Sequence, residues 1–269
     1  MLVFVIPLKS QQVAKSWERV SKLLERTLKS VCNQTSPNFR VVVVCHEKPQ
    51  IEFTHPHIKY IEVDFPVPKM ATFEDKHTDK GRKILKGLIC AREWNPSHTM
   101  VVDSDDCVSN RLAEFVNKNS QYTGWFIDKG YRYQERNQLI YFKNKDFYTM
   151  CGTCNIIRYD LMELPDVPEY NRGYGYYKNY YIDHEKLRGV LAEKSIMIEP
   201  LPFAGAVYII ESGENIYYNN IENKFYQNKN LLNGSRGFYP QIQETIKLLN
   251  CRYLTQTIRK EFNLYDIDS

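Results

Sequence analysis

The sequence predicts an α/β fold with a mostly parallel, doubly wound sheet and helices on both of its faces. Two observations predict it. Short apolar runs alternate along 2–116 with longer stretches in which apolar residues recur every three or four positions. The short runs are continuously apolar and rich in β-branched residues, which is typical of parallel strands that are buried on both faces. A chain of 269 residues can bury one substantial core without disulfides.

The first half of the chain predicts strand, helix, strand, strand, helix, strand and helix in that order. The strands are predicted at 2–7, 40–45, 58–63 and 99–103, and the helices at 11–32, 81–94 and after a capping Ser109. In such sheets ligands bind outside the carboxyl ends of the strands. We therefore expect the functional residues at 7–9, 45–48 and 103–106.

The second half is less regular. It predicts strands at 125–127 and 139–142 as a candidate hairpin, a loop leading into a strand at 151–158, a loop over 168–181, and helices over 183–191 and 241–262. A soft boundary is expected near 212, between a domain over 1–211 and a C-terminal extension over 212–269.

The composition favours a cytoplasmic protein with a small polyanionic ligand. The 36 basic and 32 acidic residues leave a net charge of +4, which does not demand nucleic acid but suits a nucleotide sugar. No apolar run approaches the ~18 residues of a spanning helix. Residues 1–8 are too short for a signal peptide, and seven scattered cysteines indicate a reducing compartment. Peripheral membrane contact stays open.

Three carboxylates follow the predicted fourth strand: Asp103, Asp105 and Asp106. Carboxylates this close repel one another, and Mg²⁺ or Mn²⁺ is often held by one or two carboxylates together with phosphate oxygens. Side chains alternate along an extended segment, so Asp103 and Asp105 face the same way. The alternative is a solvated acidic turn. The buried strand runs directly into these acids, which favours a metal site.

A second cluster is formed by Asp183, His184 and Glu185 at a predicted helix start. A carboxylate stays ionised in the field of a helix N-terminus, so Asp183 could take a proton from a hydroxyl nucleophile. His184 could ligate a metal or share the role of base. The alternative is an ordinary helix cap in a surface charge cluster.

Two further motifs have plain alternatives. Residues 79–83, DKGRK, are expected at a helix N-terminus, where backbone N–H groups and cations bind anions; the alternative is a solvated basic helix start. Cys151 and Cys154 form a CxxC without a second pair at zinc spacing, so a tight turn using Gly152 is preferred to a redox or zinc site. Phosphate-binding GxxxxGK[ST], dinucleotide-binding GxGxxG and nucleophile-elbow GxSxG motifs are lacking.

Taken together, these segments resemble a GT-A-fold glycosyltransferase, most like the family-2 type, over about 1–210. The resemblance rests on the segments FVIP (4–7), TLKSVCNQ (27–34), VVVV (41–44), KG (80–81), VDSDD (102–106), 152–158 and Asp183-His184. It implies a Rossmann-like GT-A sheet with a C-terminal helical extension. Within 1–211 it implies a nucleotide-binding half over about 1–108 and an acceptor half over about 109–211. It also implies a nucleotide-diphosphate sugar donor, a saccharide or other hydroxyl acceptor, Mn²⁺ or Mg²⁺, and an inverting displacement.

The resemblance also implies roles for individual residues. Pro7, Leu8, Lys9 and Glu47 would line the nucleotide base, Arg82 would touch the nucleotide or its phosphates, Asp103 and Ser104 would lie near the ribose, Asp103 and Asp105 would bind the metal, and Asp183 would be the catalytic base. The chain departs from the family at His46-Glu47, which leaves the base identity open. It departs again at Ile182, where the family usually has Glu, and His184 becomes a candidate third metal ligand.

Two other functions stay open. A nucleotidyltransferase also combines such a sheet with metal-binding acids, but it would normally have a glycine-rich loop after the first strand, and 7–10 (PLKS) lacks glycine. A non-catalytic carbohydrate-binding relative of the same fold is the other alternative, because the Asp183-His184 pair is atypical.

Overall fold

Two β-sheets carry the fold in the computed structural model, which describes residues 1–68, 72–177, 183–210, 212–214 and 250–268. The strands are β1 (Leu2–Pro7), β2 (Phe39–Cys45), β3 (Ile58–Glu62), β4 (His98–Val101), β5 (Cys107–Val108), β6 (Gly124–Phe126), β7 (Gly130–Gln134), β8 (Leu139–Lys143), β9 (Asn155–Arg158), β10 (Glu199–Pro200), β11 (Ala206–Ile210) and β12 (Cys251–Tyr253). The helices are α1 (Trp17–Val31), α2 (Phe73–Ala91), α3 (Leu112–Lys118), α4 (Tyr174–Tyr177), α5 (His184–Glu193) and α6 (Gln256–Phe262).

The larger sheet has the order β10-β6-β9-β4-β1-β2-β3 in the described residues. β1 lies between β2 and β4 and pairs in parallel with both, and β3 continues the parallel set. Only β9 runs antiparallel to its neighbours β4 and β6 in this part of the chain. The predicted fold class, an α/β fold with a mostly parallel sheet flanked by helices, is therefore confirmed.

β1 is apolar along its whole length because both of its faces are buried. Leu2, Phe4 and Ile6 pack on the side of α1, whereas Val3 and Val5 pack on the side of α2. All six residues of β1 are buried. A strand covered by a helix on each face needs apolar side chains in both directions, and this produces the continuous pattern in the sequence.

A second, smaller sheet has the order β12-β8-β7-β11-β5. β7 and β8 form the hairpin of this region, so the predicted hairpin of 125–127 with 139–142 is wrong: β6 pairs with β9 and β10 instead. β12 pairs with β8, and Phe262 of α6 is buried against β7. The C-terminal residues that the structure describes thus pack onto the same sheet system.

Helix boundaries differ from the prediction where a capping side chain decides the start. α1 begins at Trp17 because Ser16 caps it, while Ser10 caps only a short 3-10 turn. α2 begins at Phe73, eight residues before the predicted start, because the Thr72 hydroxyl accepts a hydrogen bond from the Asp75 N–H. The apolar periodicity of α2 begins only at Ile84, since its first turns face a cavity rather than the core.

Two irregular regions also differ from the prediction. Residues 168–181 contain α4 in place of an uninterrupted loop, and 178–181 lie outside the described residues. The helix predicted over 241–262 is wrong at 251–253, where backbone pairing with β8 forms β12, and α6 starts only after the Thr255 cap. Residues 241–249 lie outside the described residues. Within the described ranges no helix is long and apolar enough to cross a membrane.

Candidate active site

A cavity of about 480 Å³ opens at the carboxyl ends of β1 and β4, the edge at which open α/β sheets bind ligands. Of the residues predicted for the site, it is lined by Pro7, Leu8, Lys9, Asp103, Ser104, Asp105, Asp183 and His184. The structure therefore brings together segments that are up to about 180 positions apart in the chain. Glu47 and Arg82 do not line it.

Asp103 makes a close ion pair with a lysine of α2. The distance from Lys80 Nζ to Asp103 Oδ1 is 2.5 Å, and each side chain is about one-quarter exposed. Burial alone would lower the pKa of Lys80, but the carboxylates of Asp103, Asp105 and Asp106 outweigh it and raise that pKa. Lys80 is therefore a stable cation among the acids.

Asp105 is half-buried beside Asp103. Burial, and then the negative charge of Asp103, raise the pKa of Asp105 to about 6. Two carboxylates in this relation repel each other, so a cation that reaches both would stabilise them.

Asp106 is fully buried and has a structural role. Its Oδ2 accepts hydrogen bonds from the Thr153 hydroxyl at 2.6 Å and the Cys151 thiol at 3.2 Å, and its Oδ1 accepts one from the Ile209 N–H at 3.2 Å. Burial, and then the charge of Asp105, raise the pKa of Asp106 well above its usual range. Asp106 thus fastens the acidic turn to β11 and to the loop before β9.

The CxxC segment belongs to this support. Thr153 accepts a hydrogen bond from the Asp103 N–H at 2.9 Å while it donates to Asp106, so one hydroxyl holds both acids. Burial raises the pKa of Cys151 and of Cys154 well above that of a free thiol, which leaves both protonated. Gly152 lies directly against Asp103. The Cys154 N–H donates to the Gly152 carbonyl at 3.0 Å, which agrees with the tight turn predicted there.

Asp183 and His184 line the same cavity from the start of α5. The Asp183 backbone carbonyl accepts from the Lys186 and Leu187 N–H groups, and its carboxylate pairs with Lys186 Nζ at 3.1 Å. Burial, and then the charge of Lys80, lower the pKa of His184, so its imidazole is neutral at pH 7. His184 Nε2 is buried and makes no hydrogen bond within the described structure.

The loop after β1 is fixed by two acids. Lys9 Nζ donates to the Glu214 carbonyl at 2.8 Å and to its Oε2 at 2.9 Å, and Glu214 also accepts from the Ser16 N–H. Glu47 accepts from the Ser10 hydroxyl and the Gln11 N–H, both at 3.0 Å. Glu47 therefore acts on this loop from outside the cavity.

The prediction that residues 79–83 bind an anion at a helix N-terminus is wrong. These residues lie inside α2, where the backbone N–H groups are used by the helix itself. Lys80 and Lys83 nevertheless face the cavity from this segment. Lys83 is fully buried, and its Nζ donates to the Leu8 carbonyl and to Asp79 Oδ2, both at 2.7 Å. Burial lowers the pKa of Lys83 despite that carboxylate.

The acids fit a divalent cation that is shared with a ligand. No three His, Cys, Asp or Glu side chains in the described ranges are grouped closely enough to hold a metal ion by themselves. Mg²⁺ and Mn²⁺ are often held by one or two carboxylates and complete their shell with water and substrate phosphates. Asp103 and Asp105 supply such a pair, and the unpartnered Nε2 of His184 lines the same cavity.

No family model and no curated protein matches the chain. Among solved structures the chain is similar to S. aureus TarS 1–349, with 11% identity and a TM-score of 0.46 over 77% of this chain and 60% of that chain. It is similar to the same protein in complex with UDP, with 12% identity and a TM-score of 0.42 over 78% and 60%. It is also similar to Francisella tularensis 2-C-methyl-D-erythritol 4-phosphate cytidylyltransferase, with 11% identity and a TM-score of 0.37 over 84% and 99%. The aligned part is thus about three-fifths of the TarS 1–349 chain.

Proposed function

We propose that this protein is a metal-dependent glycosyltransferase that moves a sugar from a nucleotide-diphosphate sugar to a hydroxyl acceptor with inversion. The observation that carries the proposal is one cavity lined by two separate groups of aspartates: Asp103 and Asp105 after β4, and Asp183 at the start of α5. Sugar transfer needs both a cation at the leaving diphosphate and a base at the attacking hydroxyl.

The donor half of the cavity is proposed to lie between β1 and the acidic turn. Pro7, Leu8 and Lys9 would contact the nucleoside, with Ser104 near its ribose, because these residues line the cavity at the carboxyl ends of adjacent strands. Asp103 and Asp105 would hold Mn²⁺ or Mg²⁺ together with the diphosphate. His184, the candidate third ligand, would have to move to reach the ion, because no three such side chains are grouped closely enough in the described ranges. The bound ion would supply Lewis-acid stabilisation of the diphosphate leaving group.

Asp183 is proposed as the base. It would accept the proton of the acceptor hydroxyl as that oxygen forms its bond to the anomeric carbon and the nucleoside diphosphate departs. The ion pair with Lys186, at 3.1 Å, would orient the carboxylate. The neutral imidazole of His184 could instead take the proton.

The test is release of nucleoside diphosphate from a panel of nucleotide sugars by the full chain with Mn²⁺. A thermal-shift screen with UDP, GDP and CDP in the presence and absence of Mn²⁺ first identifies the nucleotide, because a ligand that binds the native state raises its melting temperature. We expect one donor to be consumed, and Asp105→Ala to abolish the Mn²⁺-dependent part of the turnover.

Asp183→Asn separates the base from the donor site. The amide cannot accept the proton, so we expect turnover to fall by about 10²-fold or more while the thermal shift with nucleotide and Mn²⁺ is retained. The matched control is Asp160→Asn, an exposed aspartate that pairs with Arg158 outside the cavity. Unchanged turnover in Asp183→Asn would reject the base, and release of pyrophosphate from a nucleoside triphosphate would indicate nucleotidyl transfer instead. Binding without turnover of any donor would indicate a non-catalytic carbohydrate-binding protein.

A further inference from the structure

Both carboxylate oxygens of Asp103 are already in contact with the protein. Oδ1 pairs with Lys80 Nζ at 2.5 Å, and Oδ2 packs against Gly152, where a Cβ would lie only 2.7 Å away. A cation approaching Asp103 in its observed rotamer therefore meets the Lys80 ammonium. The two positive charges compete for one oxygen.

Among the four cavity lysines that form salt bridges in the described residues, Lys80 differs in the partner that holds it. Lys9 is bound to Glu214, Lys83 to Asp79 and the Leu8 carbonyl, and Lys186 to Asp183. Lys80 is bound to a carboxylate that the proposed function assigns to the metal. Its Nζ also lies in the field of Asp105 and Asp106.

The same ammonium has a second possible partner in the cavity. Lys80 reaches the acidic turn from the third turn of α2 on a flexible four-carbon side chain, with three donor hydrogens on its Nζ. A diphosphate neutralised at this turn would bring anionic oxygens to the place where Lys80 already lies. A lysine that loses its carboxylate partner to a metal would then gain a phosphate.

We propose that Lys80 is an exchangeable counterion: it neutralises Asp103 until a divalent cation binds, and then moves to the diphosphate of the nucleotide. This inference rests on the proposed function, because it takes Asp103 as a metal ligand. It makes the metal and the nucleotide bind cooperatively, since the nucleotide gives the displaced ammonium its new partner.

The proposal predicts that loss of the Lys80 charge changes the affinities for the metal and for the nucleotide in opposite directions. In Lys80→Met the competing charge is gone, so Mn²⁺ alone should bind about tenfold more tightly. UDP or GDP at saturating Mn²⁺ should bind about tenfold more weakly, because a charge-assisted hydrogen bond is lost. A lysine that only supports the fold would not change the two affinities in opposite directions.

Asp103→Asn provides a second, independent variant. With its carboxylate partner neutral, Lys80 is released in the absence of any metal. In the absence of metal, UDP or GDP should then bind to Asp103→Asn about three- to tenfold more tightly than to the unmodified chain. Asp103→Asn therefore tests the proposal even if Lys80→Met fails to fold.

The experiment measures Mn²⁺ binding to the full chain by the loss of the free-ion electron paramagnetic resonance signal, and UDP and GDP binding by calorimetry with and without Mn²⁺. The matched control is Lys76→Met. Lys76 lies one turn earlier in α2, lines the same cavity and forms no salt bridge within the described part of the chain. Lys76→Met removes the same charge without freeing Asp103. The Mn²⁺ affinity of Lys76→Met should therefore change much less than that of Lys80→Met.

The outcomes separate this inference from the proposed function. If the chain binds Mn²⁺ with UDP or GDP but Lys80→Met and Lys76→Met behave alike, the exchange is wrong and the transferase proposal stands. The exchange is also overturned if Asp103→Asn weakens metal-free nucleotide binding. If the unmodified chain binds neither Mn²⁺ nor any nucleotide, both proposals fail together.

Discussion

Gly152 touches the Asp103 carboxylate from the loop before β9: a Cβ on Gly152 would lie 2.7 Å from Asp103 Oδ2 and 3.5 Å from Lys80 Nζ. Real Cβ atoms do not approach other atoms this closely, so a residue with a Cβ at this position would require the Asp103 carboxylate to move. The absence of a Cβ at Gly152 therefore allows the observed position of Asp103, which we propose as a metal ligand.

Gly152→Ala should damage the acidic turn. The added methyl pushes Asp103 away from Lys80, and overpacking of this kind commonly costs about 1–3 kcal/mol. We expect Mn²⁺ affinity in the presence of UDP or GDP to fall about tenfold or more, measured by the free-ion resonance signal. The control is Gly189→Ala in α5, where no atom lies within 4 Å of the added Cβ. Equal Mn²⁺ affinity in the two variants would contradict the steric argument.

Thr153→Val tests whether one hydroxyl holds the two acids. The change leaves the buried Asp106 carboxylate without its shortest hydrogen bond and the Asp103 N–H without an acceptor. Since unsatisfied buried polar groups cost about 1–3 kcal/mol each, we expect the free energy of unfolding to fall by roughly that amount or more.

Urea denaturation of the purified chain measures this loss. The matched control is Thr149→Val, whose hydroxyl donates to the Asp146 carbonyl at an exposed position and should cost much less. If both variants unfold at the same urea concentration, Thr153 has no special role in stability.

Asp105 gives a pH dependence with a defined sign. Its pKa is raised to about 6, by burial and then by Asp103, so the carboxylate is protonated below that pH and charged above it. Since a metal needs the charged form, Mn²⁺ affinity should rise from pH 5 to pH 7 and then level off. Asp103→Asn removes one cause of the shift, so any remaining Mn²⁺ binding should rise at a lower pH. A flat profile over this range in the unmodified chain would exclude Asp105 as a ligand.

The sequence was sufficient to predict the edge of the sheet at which the cavity lies. The continuous apolar runs ending at Pro7 and before Asp103 identify neighbouring buried strands, and their carboxyl ends do meet at the cavity. This inference needs only local patterns and the general geometry of parallel sheets. It explains why residues 7–9 and 103–106 are predicted together. The segment 45–48, predicted on the same grounds, does not line the cavity.

The supporting contacts were not predictable in the same way. Thr153 meets Asp106 across 47 positions of the chain, and nothing in the local sequence distinguishes this threonine from others. The sequence indicates Lys80 only as part of the segment 79–83 at an expected helix start. Because the apolar periodicity begins only at Ile84, that predicted start of α2 is too late. A polar helical turn that faces a cavity carries no apolar signal, so the Lys80–Asp103 pair becomes visible only in three dimensions.

His98 predicts how the stability of the fold depends on pH. It is fully buried in β4, stacks near Trp125 at 5.1 Å between ring centroids, and its Nε2 donates to the Tyr122 carbonyl at 3.0 Å. Burial lowers the pKa of His98 to about 4 from the ordinary value of 6.5. The native imidazole is therefore neutral at pH values where the unfolded chain is already protonated.

The sign follows from proton binding. Between pH 6.5 and pH 4 the unfolded state binds more protons than the native state, so the free energy of unfolding falls as the pH is lowered through this window. The loss from this one residue approaches about 3 kcal/mol, at about 1.4 kcal/mol for each pH unit. Urea denaturation of the unmodified chain and of His98→Gln measures it, since glutamine can still donate to Tyr122 but does not titrate. We expect the difference between the two chains to be constant above pH 7 and to shrink below pH 6; curves that stay parallel down to pH 4.5 would show that His98 is not the titrating group.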